Sequence, residues 1–334
     1  MIAYQDIRSI HLEISSLCNA NCPLCPRNFH GYPMNGGYPE VNMTLKQAKK
    51  IFHPKFITQL NQLLVNGNFG DIVMNPEGPA IMEYFRAFNP RMQLKVSTNG
   101  AARPPEFWQR LARAKVQVGF DLDGMEDTHK LYRQSTSWKQ VIKNAEIFIA
   151  AGGDAIWRMI SFAHNQHQIS ECKELSIKMG FRLFEIIDDG RNSGPVFDKN
   201  KKITHVIGPE ANRHMHFDKI IMADKSQGMM AKKPSHKVIC KAVKAAQIYV
   251  TANGEVYPCC WTGFYPRTYA KDKPYLYHAL INKQLEAIMS PNNAIERDLK
   301  ECIEWFTNVV DSWKIPNYDG GRLHVCDHAC GVKP

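Results

Sequence analysis

No run of apolar residues in this 334-residue chain approaches the twenty or so that a bilayer-crossing helix requires. Neither an apolar signal peptide nor a lipidation signal is visible, which sets aside a secreted disulfide scaffold and a lipid-anchored protein. We therefore expect a soluble, cytoplasmic protein with no membrane partner. Long blocks of one charge are also missing. The formal charge of +10, from 42 basic and 32 acidic residues, is dispersed, and only DKNKK (198–202) and AKKPSHK (231–237) cluster, both in loop-like stretches. Residues 1–195 carry +4 and the shorter remainder +6, a balance read as a solvated surface; a nucleic-acid partner has no support beyond charge. What is present is 44% apolar content, enough for a full core in one or two domains, and ten cysteines. Without a secretory signal, those cysteines point to metal or redox use in a reducing compartment.

The first three cysteines say most. Cys18, Cys22 and Cys25, in LEISSLCNANCPLCPRN, form a C-x3-C-x2-C run directly after a strand-like stretch. A [4Fe–4S] cube takes four ligands, normally thiolates, so three protein ligands leave one iron open for chemistry, as a catalytic zinc keeps one position free. Structural zinc usually takes two closely spaced pairs a dozen or more residues apart, whereas the next cysteine here is Cys172.

This run resembles the defining motif of radical S-adenosylmethionine (SAM) enzymes. The resemblance implies that Cys18, Cys22 and Cys25 hold a [4Fe–4S] cluster whose open iron chelates the amino and carboxylate groups of SAM. It implies an external electron donor such as flavodoxin or ferredoxin, reductive cleavage of SAM, and a 5′-deoxyadenosyl radical that abstracts hydrogen from an unactivated carbon.

Along the first two hundred residues, short β-rich runs alternate with amphipathic stretches, a rhythm that predicts parallel strands joined by crossover helices. The strands expected are 9–14, 62–67, 93–99, 116–123, 156–162 and 182–188. The expected fold is α/β, a partial (β/α)6 TIM-type barrel over 1–195, then a connector over 196–238 and a small C-terminal α+β domain over 239–334. On barrel logic, chemistry gathers at the carboxyl ends of the strands. There NGNFGD (66–71) resembles the family's Gly-Gly-Glu motif for the SAM amino group, with Gly67, Gly70 and Asp71 in place. STNG (97–100) resembles the segment that approaches the ribose and carboxylate, with Ser97 and Asn99 as candidates. The fourth strand runs into DLDGMEDTHKLYR, where Asp121 either faces the cluster or caps the next helix, and Arg133 either grips a carboxylate or pairs with Glu126 or Asp127. Arg158 and Asn165 follow near the fifth strand's end. Asp188 and Asp189, after the sixth, are the candidates for a general base acting on a substrate radical.

A second constellation begins at Cys240. Cys240, thirteen residues, Gly254, four residues, Cys259 resembles the opening of the auxiliary-cluster domains called SPASM or Twitch. Its residues read as a hairpin, QIYVT and EVYPC, joined by Ala252-Asn253-Gly254. With Cys326 and Cys330, the set Cys240, Cys259, Cys326 and Cys330 would ligate a second [4Fe–4S] cluster; four-cysteine zinc is the rival. His324, His328 and Trp261 flank those ligands. Cys260 and Cys302 are spare, either as small buried residues or as thiols that return a hydrogen atom to a substrate radical. Together these readings imply an oxidoreductase-type radical enzyme acting on a peptide or protein side chain. The alternatives are a sugar or nucleoside dehydrogenase or epimerase, and a non-catalytic iron–sulfur electron carrier.

Overall fold

The computed structural model describes residues 2–25, 27–29, 32–33, 39–187, 194–198, 200, 202–208, 234–235, 237–268 and 276–332. The strands in chain order are β1 (Ser9–Leu12), β2 (Asn28–Phe29), β3 (Tyr32–Pro33), β4 (Gln62–Val65), β5 (Gln93–Thr98), β6 (Gln117–Asp121), β7 (Asp154–Ile160), β8 (Leu183–Ile187), β9 (Gly194–Phe197), β10 (Ile203–Ile207), β11 (Gln247–Val250) and β12 (Val256–Tyr257). Eight of them form one sheet in the order β12-β11-β1-β4-β5-β6-β7-β8. Every pairing from β11 to β8 is parallel, and only β12 runs antiparallel to its neighbour. The α/β partial barrel expected from the sequence is therefore present, with all six expected strands in order.

The crossovers carry their own start and stop signals. Helix α1 (Leu45–Ile51) opens with a capping box in which Thr44 and Gln47 satisfy each other's backbone N–H groups. Next come α2 (Pro54–Thr58), α3 (Gly78–Phe88), α4 (Pro105–Arg113), α5 (Glu126–Tyr132), α6 (Trp138–Ala150) and α7 (Ile169–Met179). Proline stands in the first turn of α2, α3 and α4, where a missing N–H costs nothing, and α7 stops at Gly180, whose φ of 88° is left-handed.

Two expectations change on the structure. The stretch after Gly194, read as a connector, contains the antiparallel strands β9 and β10, with a bond from Asp198 N–H to Lys202 C=O beside them. The hairpin at Gly254 is also wider than a two-residue Asn-Gly turn. Gly254 alone has a positive φ, 87°, and Thr251 accepts the Gly254 N–H while its own N–H reaches Glu255.

The hairpin β11–β12 joins the barrel sheet directly, with Ser9–Leu12 in register against Gln247–Val250. One apolar core accordingly runs from Ile10 and Trp108 through Tyr249 to Trp305 and Cys326. Around the hairpin lie helices Cys260–Thr268, Leu276–Glu286, Phe306–Ser312 and His324–Cys330. Among the described residues, no helix is long and apolar enough to cross a membrane.

Candidate active site

The loop after β1 folds back on itself to present its cysteines. Cys25 N–H bonds to Cys22 C=O at 3.0 Å, Asn28 donates its side-chain amide to the same carbonyl at 3.1 Å, and Asn21 N–H reaches Gln134 C=O at 2.9 Å. The sulfurs meet N–H groups. Ala20 N–H lies 3.4 Å and Asn99 Nδ2 3.7 Å from Cys18 Sγ, while an Arg133 nitrogen lies 4.0 Å from Cys22 Sγ. Burial, with Asp71 and Cys22 nearby, pushes the bare Cys18 thiol well up.

The glycines of 66–71 are required by close approach. A Cβ on Gly67 would collide with the carboxylate of Glu13, and one on Gly70 with the backbone of Ser15 and Ser16. Asp71 organises its surroundings. One carboxylate oxygen accepts from Thr98 Oγ1 at 2.5 Å and Val73 N–H at 3.0 Å, and the other accepts Asn99 N–H at 2.8 Å. Burial raises its pKa, opposed by those bonds.

Opposite stands a charge network built on β6 and β7. Arg133 pairs at 2.6 Å with Asp123, whose side chain is 0% exposed, and at 3.5 Å with Asp121. It does not pair with Asp127 or Glu126: Asp127 accepts from Gln168 and Glu126 faces Lys139. Burial works against the Arg133 charge, but Asp123 and Asp121 hold its pKa well above the usual arginine value. Asp121 caps nothing, since the N-cap of α5 is Met125 with no side-chain bond. It sits instead between Arg133 and Arg158, each 3.5 Å away, with its pKa raised by burial against their pull. Arg158 also donates to Ser97 Oγ. Asn165 is fully buried, bonded to Asp123 and Ile160 carbonyls and to Phe162 N–H, and serves the scaffold.

These groups open on one cavity of about 280 Å³. Its walls include Cys18, Cys22 and Cys25 together with all eight residues expected to hold cofactor: Gly67, Gly70, Asp71, Ser97, Asn99, Asp121, Arg133 and Arg158. Residues 12–168 match the model of the radical SAM superfamily. The chain thus carries a radical SAM domain over those residues. No curated protein matches the sequence. Solved structures share the fold at low identity. SuiB of Streptococcus suis bound to S-adenosylmethionine superposes with a TM-score of 0.55 at 14% identity, over 94% of this chain and 67% of that one. SuiB bound to its precursor peptide SuiA gives 0.55 at 14%, over 95% and 68%. Native anSMEcpe with bound AdoMet gives 0.52 at 16%, over 89% and 80%.

The radical SAM superfamily implies a [4Fe–4S] cluster and SAM, and the donor set here fits both. Three thiols face one cavity with N–H groups aimed at two of the sulfurs, and the rest of the wall offers both charge signs for a zwitterionic amino acid. Among the described residues, no three His, Cys, Asp or Glu gather tightly enough for a single metal ion. A cube asks for less, because it spreads its thiolates over separate irons.

Away from this cavity, the C-terminal thiols converge from three stretches. Cys240 feels the charge of Cys330, Cys259 that of Cys260 and Cys240, and Cys326 that of Cys259, Cys240 and Cys330. Burial raises the thiols of Cys240, Cys259 and Cys326, that of Cys259 to about 12. A bridge between Val238 and Gly331, and a 2.9 Å bond from Ile239 N–H to Cys330 C=O, tie two of the stretches together. Trp261 meets His328 edge-on at 6.1 Å, and His324 packs on Tyr318 at 4.5 Å. Cys260 borders this group and feels Cys330. Cys302 does not reach the cavity. It is 0% exposed within the apolar core, with its thiol raised by burial to about 11, so its place is that of a small core residue. Asp188 and Asp189 lie outside the described residues.

The sequence reading missed Glu13, Asp123 as the anchor of Arg133, and Tyr249. A carboxylate inside an otherwise apolar strand run, as in SIHLEI, was the available signal for Glu13, because a buried charge needs partners.

Proposed function

We propose that the cavity binds SAM against a [4Fe–4S] cluster on Cys18, Cys22 and Cys25, and that the enzyme oxidises or otherwise modifies an unactivated carbon of a peptide or protein side chain. The observation that carries this reading is the meeting of those cysteines with eight expected cofactor residues around one cavity. When bound, the cluster and SAM supply reductive cleavage to a 5′-deoxyadenosyl radical and hydrogen abstraction, with the electron arriving from a flavodoxin- or ferredoxin-type donor.

The chain's own residues bind and orient. Asp71 fixes the backbone of Asn99, which with Ser97 offers short polar groups to the ribose and carboxylate. Arg158 and Arg133 bring positive charge to a carboxylate while Asp121, held between them, balances it against the ammonium. A crowded set of buried thiols ionises readily only around a cationic centre. On that ground Cys240, Cys259, Cys326 and Cys330 hold a second [4Fe–4S] cluster in a Twitch-like unit over 239–334, apart from the catalytic barrel of 1–195. Peptide as substrate takes support from the SuiB structure with SuiA and from the anSMEcpe structure with the Cp18Cys peptide.

The test is anaerobic reconstitution followed by incubation of the reduced enzyme with SAM and a library of deuterated peptides. The reading expects about eight irons per chain and deuterium carried into 5′-deoxyadenosine from one peptide class. Deuterium transfer only from free sugars or nucleosides would replace the peptide reading with the small-molecule one.

A further inference from the structure

The loop Asn66–Gly70 forms one wall of the cavity, and its backbone is held from below by side chains with no assigned role. Glu13 follows β1 and is 2% exposed. One carboxylate oxygen accepts the N–H groups of Phe69 and Gly70, both at 2.8 Å, and occupies the space a Gly67 side chain would need. The other accepts Tyr249 O–H at 2.7 Å. Tyr249, 0% exposed, lies on β11 in register with His11 of β1. The two rings meet edge-on at 4.9 Å, and His11 Nε2 lies 2.7 Å from Asn66 C=O. Two residues on, the Asn68 side-chain amide donates to the carbonyl of Cys260 at 2.9 Å. Every residue from Asn66 to Gly70 is therefore tied down or sterically fixed, and the C-terminal part contributes twice, directly through the Cys260 carbonyl on Asn68 and indirectly through Tyr249 on Glu13.

We infer that Glu13 is a positioning residue that sets the geometry of the Asn66–Gly70 wall for SAM, and that Tyr249 and Cys260 make the C-terminal unit part of that support. The inference rests on the reading of the cavity as the SAM site. A buried side chain of this shape that accepts three hydrogen bonds holds its donors in one place, where water would let them move. Loss of one bond leaves the loop free to relax away from the bound amino acid.

The experiment measures SAM affinity, iron content, thermal midpoint and the change SAM makes in the electron paramagnetic resonance spectrum of the reduced cluster. It compares the reconstituted full chain with Glu13→Ala, Glu13→Gln, Tyr249→Phe and, as a control, Ile10→Val, which trims a buried residue on the opposite face of β1. Glu13→Ala is expected to weaken SAM binding by roughly thirtyfold and Tyr249→Phe by roughly fivefold at unchanged iron content, corresponding to loss of several and of one hydrogen bond. Glu13→Gln, which keeps the shape and neutral versions of the bonds, restores most of the affinity and the SAM-induced spectrum. Ile10→Val lowers the midpoint without moving the affinity. SAM affinity within twofold of wild type in both Tyr249→Phe and the Glu13 variants, or affinity falling with midpoint in Ile10→Val as well, would overturn the positioning role. A wild-type chain with intact iron that fails to bind SAM would instead overturn the cavity reading, and the inference with it.

Discussion

The two groups of cysteines are built on opposite plans. Cys18, Cys22 and Cys25 sit on one loop, so local turns bring them close together, and the parallel sheet supplies the remaining walls from successive strand ends. Cys240, Cys259, Cys326 and Cys330 come from three separate stretches and meet only when the hairpin has joined β1 and the last helix has docked. The first group asks little of the global fold, while the second depends on it. A chain that joins the two through a shared sheet lets one part support the other.

The largest effects should separate the two groups. Replacing Cys18, Cys22 and Cys25 by Ala is expected to abolish SAM cleavage and remove about four irons, with the rest of the iron retained. Replacing Cys326 and Cys330 by Ala should remove a similar amount of iron and stop product formation while 5′-deoxyadenosine still forms without coupling. Equal loss of SAM cleavage in both variants would break the distinction.

Next in size, Asp123→Ala leaves the buried guanidinium of Arg133 with only the longer contact to Asp121 and is expected to cost about 3 kcal/mol of stability, read from denaturant midpoints. An Arg133→Met, Asp123→Leu double variant, which buries no charge, should recover much of that loss.

A smaller effect is set by pH. Burial lowers His11 and His129 to about 4, each below its unfolded value. The unfolded chain then binds more protons, so stability falls as pH drops from about 6.5 towards 4, by up to about 3 kcal/mol for each histidine. Unfolding curves at pH 7.5 and 5 should show the drop, and His129→Asn should flatten it. The smallest expected effect is in the core of the C-terminal part. Cys302→Ala should leave product formation unchanged and cost about 1 kcal/mol, whereas a changed product with Cys260→Ala alone would mark that thiol as a hydrogen donor.

Much of the barrel was legible because its strands are buried runs bounded by turns, and β4 to β8 fall within about two residues of the expected bounds. The cavity residues were legible for a related reason, since a parallel barrel sends the residue after each strand to the same end. Glu13 and Asp123 stayed hidden because their roles are made by partners distant in sequence. Tyr249 lies 236 positions from Glu13, and no local pattern specifies that bond. The partner of Arg133 was misplaced for a subtler reason: Asp127 and Glu126 lie nearer in sequence, but α5 carries them to the outside while Asp123 remains below the strand end.

The measurement that bears most directly on the account is 5′-deoxyadenosine formation by the anaerobically reconstituted, dithionite-reduced chain supplied with SAM, alongside the variant lacking Cys18, Cys22 and Cys25. The account predicts product from the intact chain and none from the variant. An intact chain that holds its full iron, binds SAM and forms no 5′-deoxyadenosine with any peptide or small-molecule substrate would contradict it and leave an electron carrier in its place.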